Sequence, residues 1–411
     1  MAAATLQLAR NTHVYMKVGD NIWKLPVLDG FSFSQATATQ EIALNEMQTG
    51  SESSRGRTMF NTALEPAEWS FSTYARPTLD SSTHTAVEEA LWAMFFGATG
   101  YTPGTGAWNP AAITSNNAGR TSSMVVTSAL SNTATLGEFE LFFVLGGCST
   151  DAAESTFAKS AGQTIYKMTK CVVNSASVDF DIDGITTINW SGFGATLGQE
   201  ASLDASSSIK TGLASTSNYL RNRVTSLAIR PNNRFAGDIA VFGESNGAGT
   251  TDADDVDQDG DNVDDFATGY DLTITGGTIN FENNITFLTP DELCKVNAPI
   301  GHVTGNRAIG GNFTCYLNDN DGSPSAAGYK RSAAFFDDLA TATNLSQNSF
   351  AVTFTIGGTA GLGSIAVKMP TCHIETPTHQ IEDIVSLETT FHALPSTMTG
   401  KDDVTLTYVG V

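Results

Sequence analysis

The chain has 411 residues, 41% of them hydrophobic, enough for two or three domains with complete cores, and this composition excludes disorder as the default state. Its 21 Lys and Arg stand against 43 Asp and Glu, a formal charge of −22, so the mean surface repels phosphate and a conventional nucleic-acid binder is excluded. No run approaches the roughly 18 apolar residues of a membrane span, so no membrane partner is expected.

In chain order, residues 1–18 (MAAATLQLARNTHVYMKV) have neither a basic leader nor an unbroken apolar stretch, which predicts synthesis and assembly in a cytoplasm without export. Residues 47–59 (MQTGSESSRGRTM) separate two strand-like stretches and read as the tip of a long hairpin. Their Arg55 and Arg57 are cations in an acidic chain, candidates to pair with carboxylates of a neighbouring molecule; the competing reading is two solvated side chains. Residues 85–98 (TAVEEALWAMFFGA) carry apolar side chains at helical spacing and predict a helix. In residues 178–184 (VDFDIDG) the period is two, so Val178, Phe180 and Ile182 face inward and Asp179, Asp181 and Asp183 share the opposite face.

Residues 201–220 (ASLDASSSIKTGLASTSNYL) are rich in Ser, Ala and Thr and predict a flexible or extended linker. Within an insertion at 245–268, Asp255, Asp257 and Asp259 precede Gly260, with Asp261 following, as in the start of a calcium loop. The position of the loop's bidentate Glu holds Phe266, so Asp264 or Asp265 would have to substitute; Ca²⁺ binding and a solvated acidic loop both stay open, and no other cofactor is expected. Residues 331–343 predict a second helix, and residues 357–364 (GGTAGLGS) lack both the spacing and the Lys of a phosphate-binding loop. The six histidines show no metal-ligand spacing, and no GxSxG elbow is present, so an enzyme is not expected. Five cysteines, odd in number and far apart, predict free thiols that are mostly buried.

The chain also repeats itself. Lys-Met-x-x-Cys occurs at 167–171 and again at 368–372, 201 positions later, and residues 137–147 (GEFELFFVLGG) match 348–358 (NSFAVTFTIGG) with their apolar positions in register. Further weak matches keep the same order in both halves. A tandem duplication follows, with one unit at 1–200, the linker at 201–220, and a second unit at 221–411 that carries the Asp-rich insertion. Each unit is expected to be mostly antiparallel sheet with one flanking helix.

Residues 25–46, 54–77, 87–97 and 171–194 together resemble bacteriophage tail tube proteins, whose subunits stack as rings into the hollow tail. The resemblance implies a β-sandwich or barrel per unit, with long hairpins joining across subunits into a continuous barrel around the channel. It implies sixfold rings, so that a duplicated subunit would form a pseudo-sixfold trimer. The implied partners are other copies of the chain, tail terminator and tail-tip or baseplate proteins, and the tape measure protein and transiting double-stranded DNA in the bore. On this reading Asp179, Asp181 and Asp183 line the channel and keep DNA mobile, an ordinary outer strand face being the competing placement, and Arg55 and Arg57 contact the next ring. A tail-tip hub protein and a calcium-binding β-sandwich adhesin are the alternative functions.

Overall fold

The computed structural model describes residues 12–42, 48–49, 52–53, 58–80, 83–103, 106–114, 123–128, 136–146, 163–203, 210–211, 219–231, 270–294, 296–318, 331–341, 350–357 and 363–410. Strands dominate. Strands β1 (Thr12–Val18) and β2 (Asn21–Leu25) form a hairpin, turning through Gly19 at φ 57°, a left-handed conformation that glycine adopts without a Cβ clash. Strands β3 (Ser32–Ile42) and β4 (Thr58–Tyr74) make the long hairpin, paired from Ser32 with Ser70 out to Ile42 with Thr58. The first half is completed by β5 (Phe139–Leu145), β6 (Thr164–Asp181) and β7 (Thr187–Gly194).

The repeated Lys-Met-x-x-Cys is a corner. Up to Met168, β6 pairs with β5; from Val172 it pairs with β7 instead, and Lys170 between them has φ 49°. The β5–β6 register slips here, Phe139 opposing Cys171 while Leu141 opposes Met168. Cys171 and Met168 are both buried, and the Cys171 thiol donates to the Met168 carbonyl at 3.4 Å. In the second half β11 (Phe350–Ile356) and β12 (Ser364–Ile374) repeat the slip, Phe350 opposing Cys372 and Val352 opposing Met369, with the Cys372 thiol 4.0 Å from the Met369 carbonyl. A bulge bends its strand and strengthens the local twist. The motif recurs because each half needs one strand to leave one layer and enter the other.

The remaining second-half strands are β8 (Ser226–Pro231), which pairs with β11, then β9 (Ile274–Glu282), β10 (Ala308–Tyr316), β13 (Thr378–Gln380), β14 (Ser386–Ala393) and β15 (Thr405–Val409). One sheet runs through both halves in the order β3, β4, β7, β6, β9, β10, β14, with β12 and β13 sharing the far position. The joint between halves is β6 against β9, seven antiparallel pairs from Ser175 with Glu282 to Asp181 with Gly276.

The helices depart from the sequence reading at their ends. Helix α1 covers only Glu89–Phe95, because residues 83–86 form a strand paired with 77–80. Six of its seven residues are buried, so it is a helix enclosed on nearly all sides rather than an amphipathic one. Its Trp92 packs on Trp190 at 4.7 Å between ring centroids and on Phe281 at 5.1 Å, so one ring serves the cores of both halves. A buried aromatic of this size removes about 150–250 Å² from water, roughly 4–6 kcal/mol of hydrophobic stabilisation, which welds the halves. Helix α2 spans Ser332–Thr341, inside the predicted bounds.

The segment 201–220, read as a flexible or extended linker, is anchored at its described residues: Leu203 is buried with Tyr15, Ile22 and Ile165, Lys210–Thr211 pair in parallel with β2, and Leu220 is buried. One further expectation changes. Ile182, expected to pack inward after Phe180, is 42% exposed because β6 ends at Asp181 and its alternation stops there. Of the cysteines, Cys171, Cys315 and Cys372 are buried and Cys294 is exposed. Burial pushes the Cys315 thiol up to about 12 and also raises those of Cys171 and Cys372, which leaves all three inert at neutral pH.

Candidate assembly edges and the acidic strand end

The continuous sheet has one dry face and one wet face. Val178, Phe180, Ile188, Trp190, Ile279 and Phe313 are buried, and their alternating neighbours form polar rows across the opposite side. Ser32, Ser70, Ser191, Ser175 and Glu282 stand abreast on β3, β4, β7, β6 and β9. A second row holds Ser72, Asn189, Ser177 and Asn280, and a third Thr187, Asp179, Thr278 and Asn312.

Hydrogen bonds knit these rows. Ser32 and Ser70 hydroxyls lie 2.8 Å apart, those of Ser175 and Ser191 2.7 Å, and Ser72 donates to the Asn189 side chain at 2.6 Å. Asn189 donates onward to Asp179 at 2.7 Å, and Thr278 reaches the other oxygen of the same carboxylate at 3.1 Å. Asp179 therefore bridges the two halves. Small hydroxyl and amide groups satisfied by one another leave few donors for a passing polyanion, so such a surface holds phosphate weakly.

Beside Asp179, Asp181 accepts from Asn222 at 3.2 Å, and Asp183, beyond the end of β6, lies 3.5 Å from Arg223 with both side chains exposed. The three carboxylates border an open cleft of about 560 Å³ floored by Gly276 and Gly277 at the start of β9. Sequence alternation placed Asp179 and Asp181 together; Asp183 joins them from the following turn, not from the strand. The Ser, Thr and Asn rows escaped the sequence reading. Their signal is the polar half of the same two-residue period, which carries no charge and so does not distinguish a functional face from an ordinary wet one. Among the described residues no group of three or more His, Cys, Asp and Glu side chains could hold a metal ion. Arg55 and Arg57, and the run with Asp255, Asp257, Asp259 and Asp261, lie outside the described residues.

The two ends of the continuous sheet are open edges. Among the described residues β3 pairs with β4 alone and β13 with β14 alone, and all three residues of β13 are exposed. Unpaired edge groups are a template for another chain. The edges also occupy matching places in the two halves. Tyr74 opposes Thr187, the first residue of β7, as Tyr316 opposes Ser386, the first residue of β14. Four residues back along each strand, Ser70 opposes Ser32 and Asn312 opposes Thr278, so β3 is the counterpart of β9. Likewise Thr378 sits on Glu388 as Ser177 sits on Asn189, so β13 is the counterpart of the end of β6.

No family model matches the sequence. The chain is similar to the tail tube protein pb6 of Escherichia phage T5, 27% identical over an aligned length of 422 residues that covers 97% of this chain and 75% of the T5 protein.

Proposed function

This chain is a phage tail tube protein, a structural subunit of the virion, and from that premise we propose that it closes into trimeric, pseudo-sixfold rings whose stacked bores conduct DNA. The observation that carries the proposal is the β6–β9 joint. It is a finished copy of a contact whose two counterparts, β13 and β3, stand open at opposite ends of the same sheet.

The counterparts set the register. Asp179 opposite Thr278 within the chain becomes Gln380 opposite Ser32 of the next copy, and Ser177 opposite Asn280 becomes Thr378 opposite Ser34. Head-to-tail pairing of this kind closes only if the rotation returns to its start. Each chain supplies eight strand positions, so three chains supply twenty-four. At about 4.8 Å between strands and a tilt of about 40°, twenty-four strands close at roughly 45–50 Å between backbones. Two chains would close at roughly 30 Å, the size of a sixteen-stranded porin channel, which side chains on the inner face narrow to about the bare width of a DNA duplex with no room to slide. The polar rows and Asp179, Asp181 and Asp183 then face the bore, where the tape measure protein and DNA pass, and the ends of the tube meet terminator and tail-tip proteins.

The test is a double variant, Ser34→Cys with Thr378→Cys, in a chain whose Cys148 and Cys294 are replaced by Ser. Oxidation of assembled protein is expected to give covalently closed trimers on a non-reducing gel. Absence of any cross-link, or closed rings of six chains, would overturn the proposal.

A further inference from the structure

Resting on the tail tube reading, we propose that successive rings stack head to tail through two apolar rims, the Ile-x-x-Ile turns at one end of the sheet seating on hydrophobic side chains at the other end of the next ring's strands. Ile182 and Ile185 stand five and two residues before Thr187, the first residue of β7, and Ile381 and Ile384 stand five and two residues before Ser386, the first of β14. All four are exposed, Ile381 at 82% and Ile384 at 61%. Tight turns favour Gly, Asn, Asp and Ser, and a β-branched aliphatic pair kept at the same place in both halves contributes nothing to either core. Exposed apolar groups in such a repeated arrangement mark a contact surface.

The strands run from this end to a second apolar rim. In the first half it holds Ile42, Met59 and Phe60, where β3 and β4 leave the sheet, with Met59 57% exposed. In the second half the corresponding connection, between β9 and β10, carries Leu293, Val296 and Ile300, with Leu293 94% exposed. That connection is held against β4, the Leu64 amide donating to the Asn297 carbonyl at 2.7 Å and the Asn297 amide to the Thr62 carbonyl at 3.1 Å. The two groups therefore form one rim, and each half supplies one Ile turn below and one apolar group above.

A second copy is the occupant that matches this spacing, because a shift along the strands brings each Ile turn onto the next copy's rim without breaking the ring's symmetry. Charge gives the contact its direction. The Ile turns carry Glu382 and Asp383 together with Asp183, which is paired with Arg223, while the far rim mixes Lys170, on the Ile300 carbonyl at 3.0 Å, with Asp291 and Glu292. Two Ile-turn ends face to face would oppose carboxylates to carboxylates, which disfavours head-to-head stacking.

The experiment has two arms on the full chain. In the first, Ile381→Asp with Ile384→Asp is expected to leave closed rings by native mass spectrometry and to lower the sedimentable tube fraction about tenfold or more. In the second, Ile384→Cys is combined with Cys148→Ser in a chain that retains its exposed Cys294, and assembled tubes are treated with a short bismaleimide. Species larger than one ring are expected, and none when either Cys294 or the new cysteine is the sole exposed thiol. Normal tubes from the Asp variant, or cross-links with the new cysteine alone, would overturn the stacking scheme; should the Asp variant not fold, absence of cross-links in the two-thiol chain does so. If the unaltered chain itself forms no tubes, it is the tail tube reading that fails.

Discussion

The indole N–H of Trp92 donates to the hydroxyl of Tyr408 at 2.6 Å, joining residues 316 positions apart in a fully buried contact. Trp92 lies on α1 in the first half and Tyr408 on β15 at the end of the second, and β15 also pairs with residues 124–127 of the first half. The halves are thus one cooperative body. Tyr408→Phe keeps the ring and strands the indole N–H without a partner, a loss of about 1–3 kcal/mol. Calorimetry of this variant is expected to show a single transition at lower temperature. Two separated transitions, one per half, would contradict the shared core.

Glu88, beside this pair, is the buried acid whose ionisation the fold resists. Desolvation raises its pKa from 4.5 to about 7, partly offset by hydrogen bonds from backbone and the Tyr408 hydroxyl and by the charge of Arg76. A carboxyl with a raised folded-state pKa favours folding while protonated. Its contribution is complete below about pH 4.5 and is lost as pH rises through about 7. Glu88→Gln should flatten the pH dependence of stability across that window and exceed the parent chain at pH 8 by on the order of 3 kcal/mol. Denaturant titrations at pH 5 and pH 8 measure it, and parallel curves for the two proteins would refute the assignment.

Gly311 sits in β10, where a Cβ would run into the carbonyl oxygen of Thr278 on β9 and crowd the Phe391 ring. Backbone on one side leaves no flexible group to yield. Gly311→Ala is expected to lose more than the ordinary glycine-to-alanine change in a strand, about 1–3 kcal/mol, and to loosen the pairing that presents Thr278 to Asp179. Hydrogen exchange at the amides of β9 reports it; unchanged protection there would show that the strands can move apart freely.

Asp181 and Asp183 have lighter structural duties than Asp179, which holds both Asn189 and Thr278. Asp181→Lys with Asp183→Lys should therefore leave ring formation intact while making the proposed bore wall attractive to phosphate. Small attractions repeated at every ring accumulate along the duplex, so DNA release from assembled particles should slow and recover at high salt. Unaltered release from particles shown to contain the variant would move these carboxylates to the outer surface.

The sequence by itself carried the repeated motifs, the predominance of strands and the acidic face of β6. Each depends on local periods and on motifs, and a period of two must appear wherever a strand has one wet face. Even the Lys-Met-x-x-Cys corner was visible twice, although its meaning as a bulged passage between layers needed the slipped pairing of Phe139 with Cys171 and Phe350 with Cys372. Local reading failed where neighbours in the chain stop being neighbours in space. Helical spacing overran α1 because residues 83–86 gained more from pairing with 77–80 than from another turn, and Ile182 left the core because β6 had already ended. Only the tertiary structure decided that β6 meets β9, that Ser, Asn and Asp align into rows, and that β3 and β13 each have one strand neighbour among the described residues. Those outcomes rest on register between strands, β6 with β9 and β4 with β7 being about a hundred positions apart, and no local pattern encodes a register until packing of the buried faces selects one.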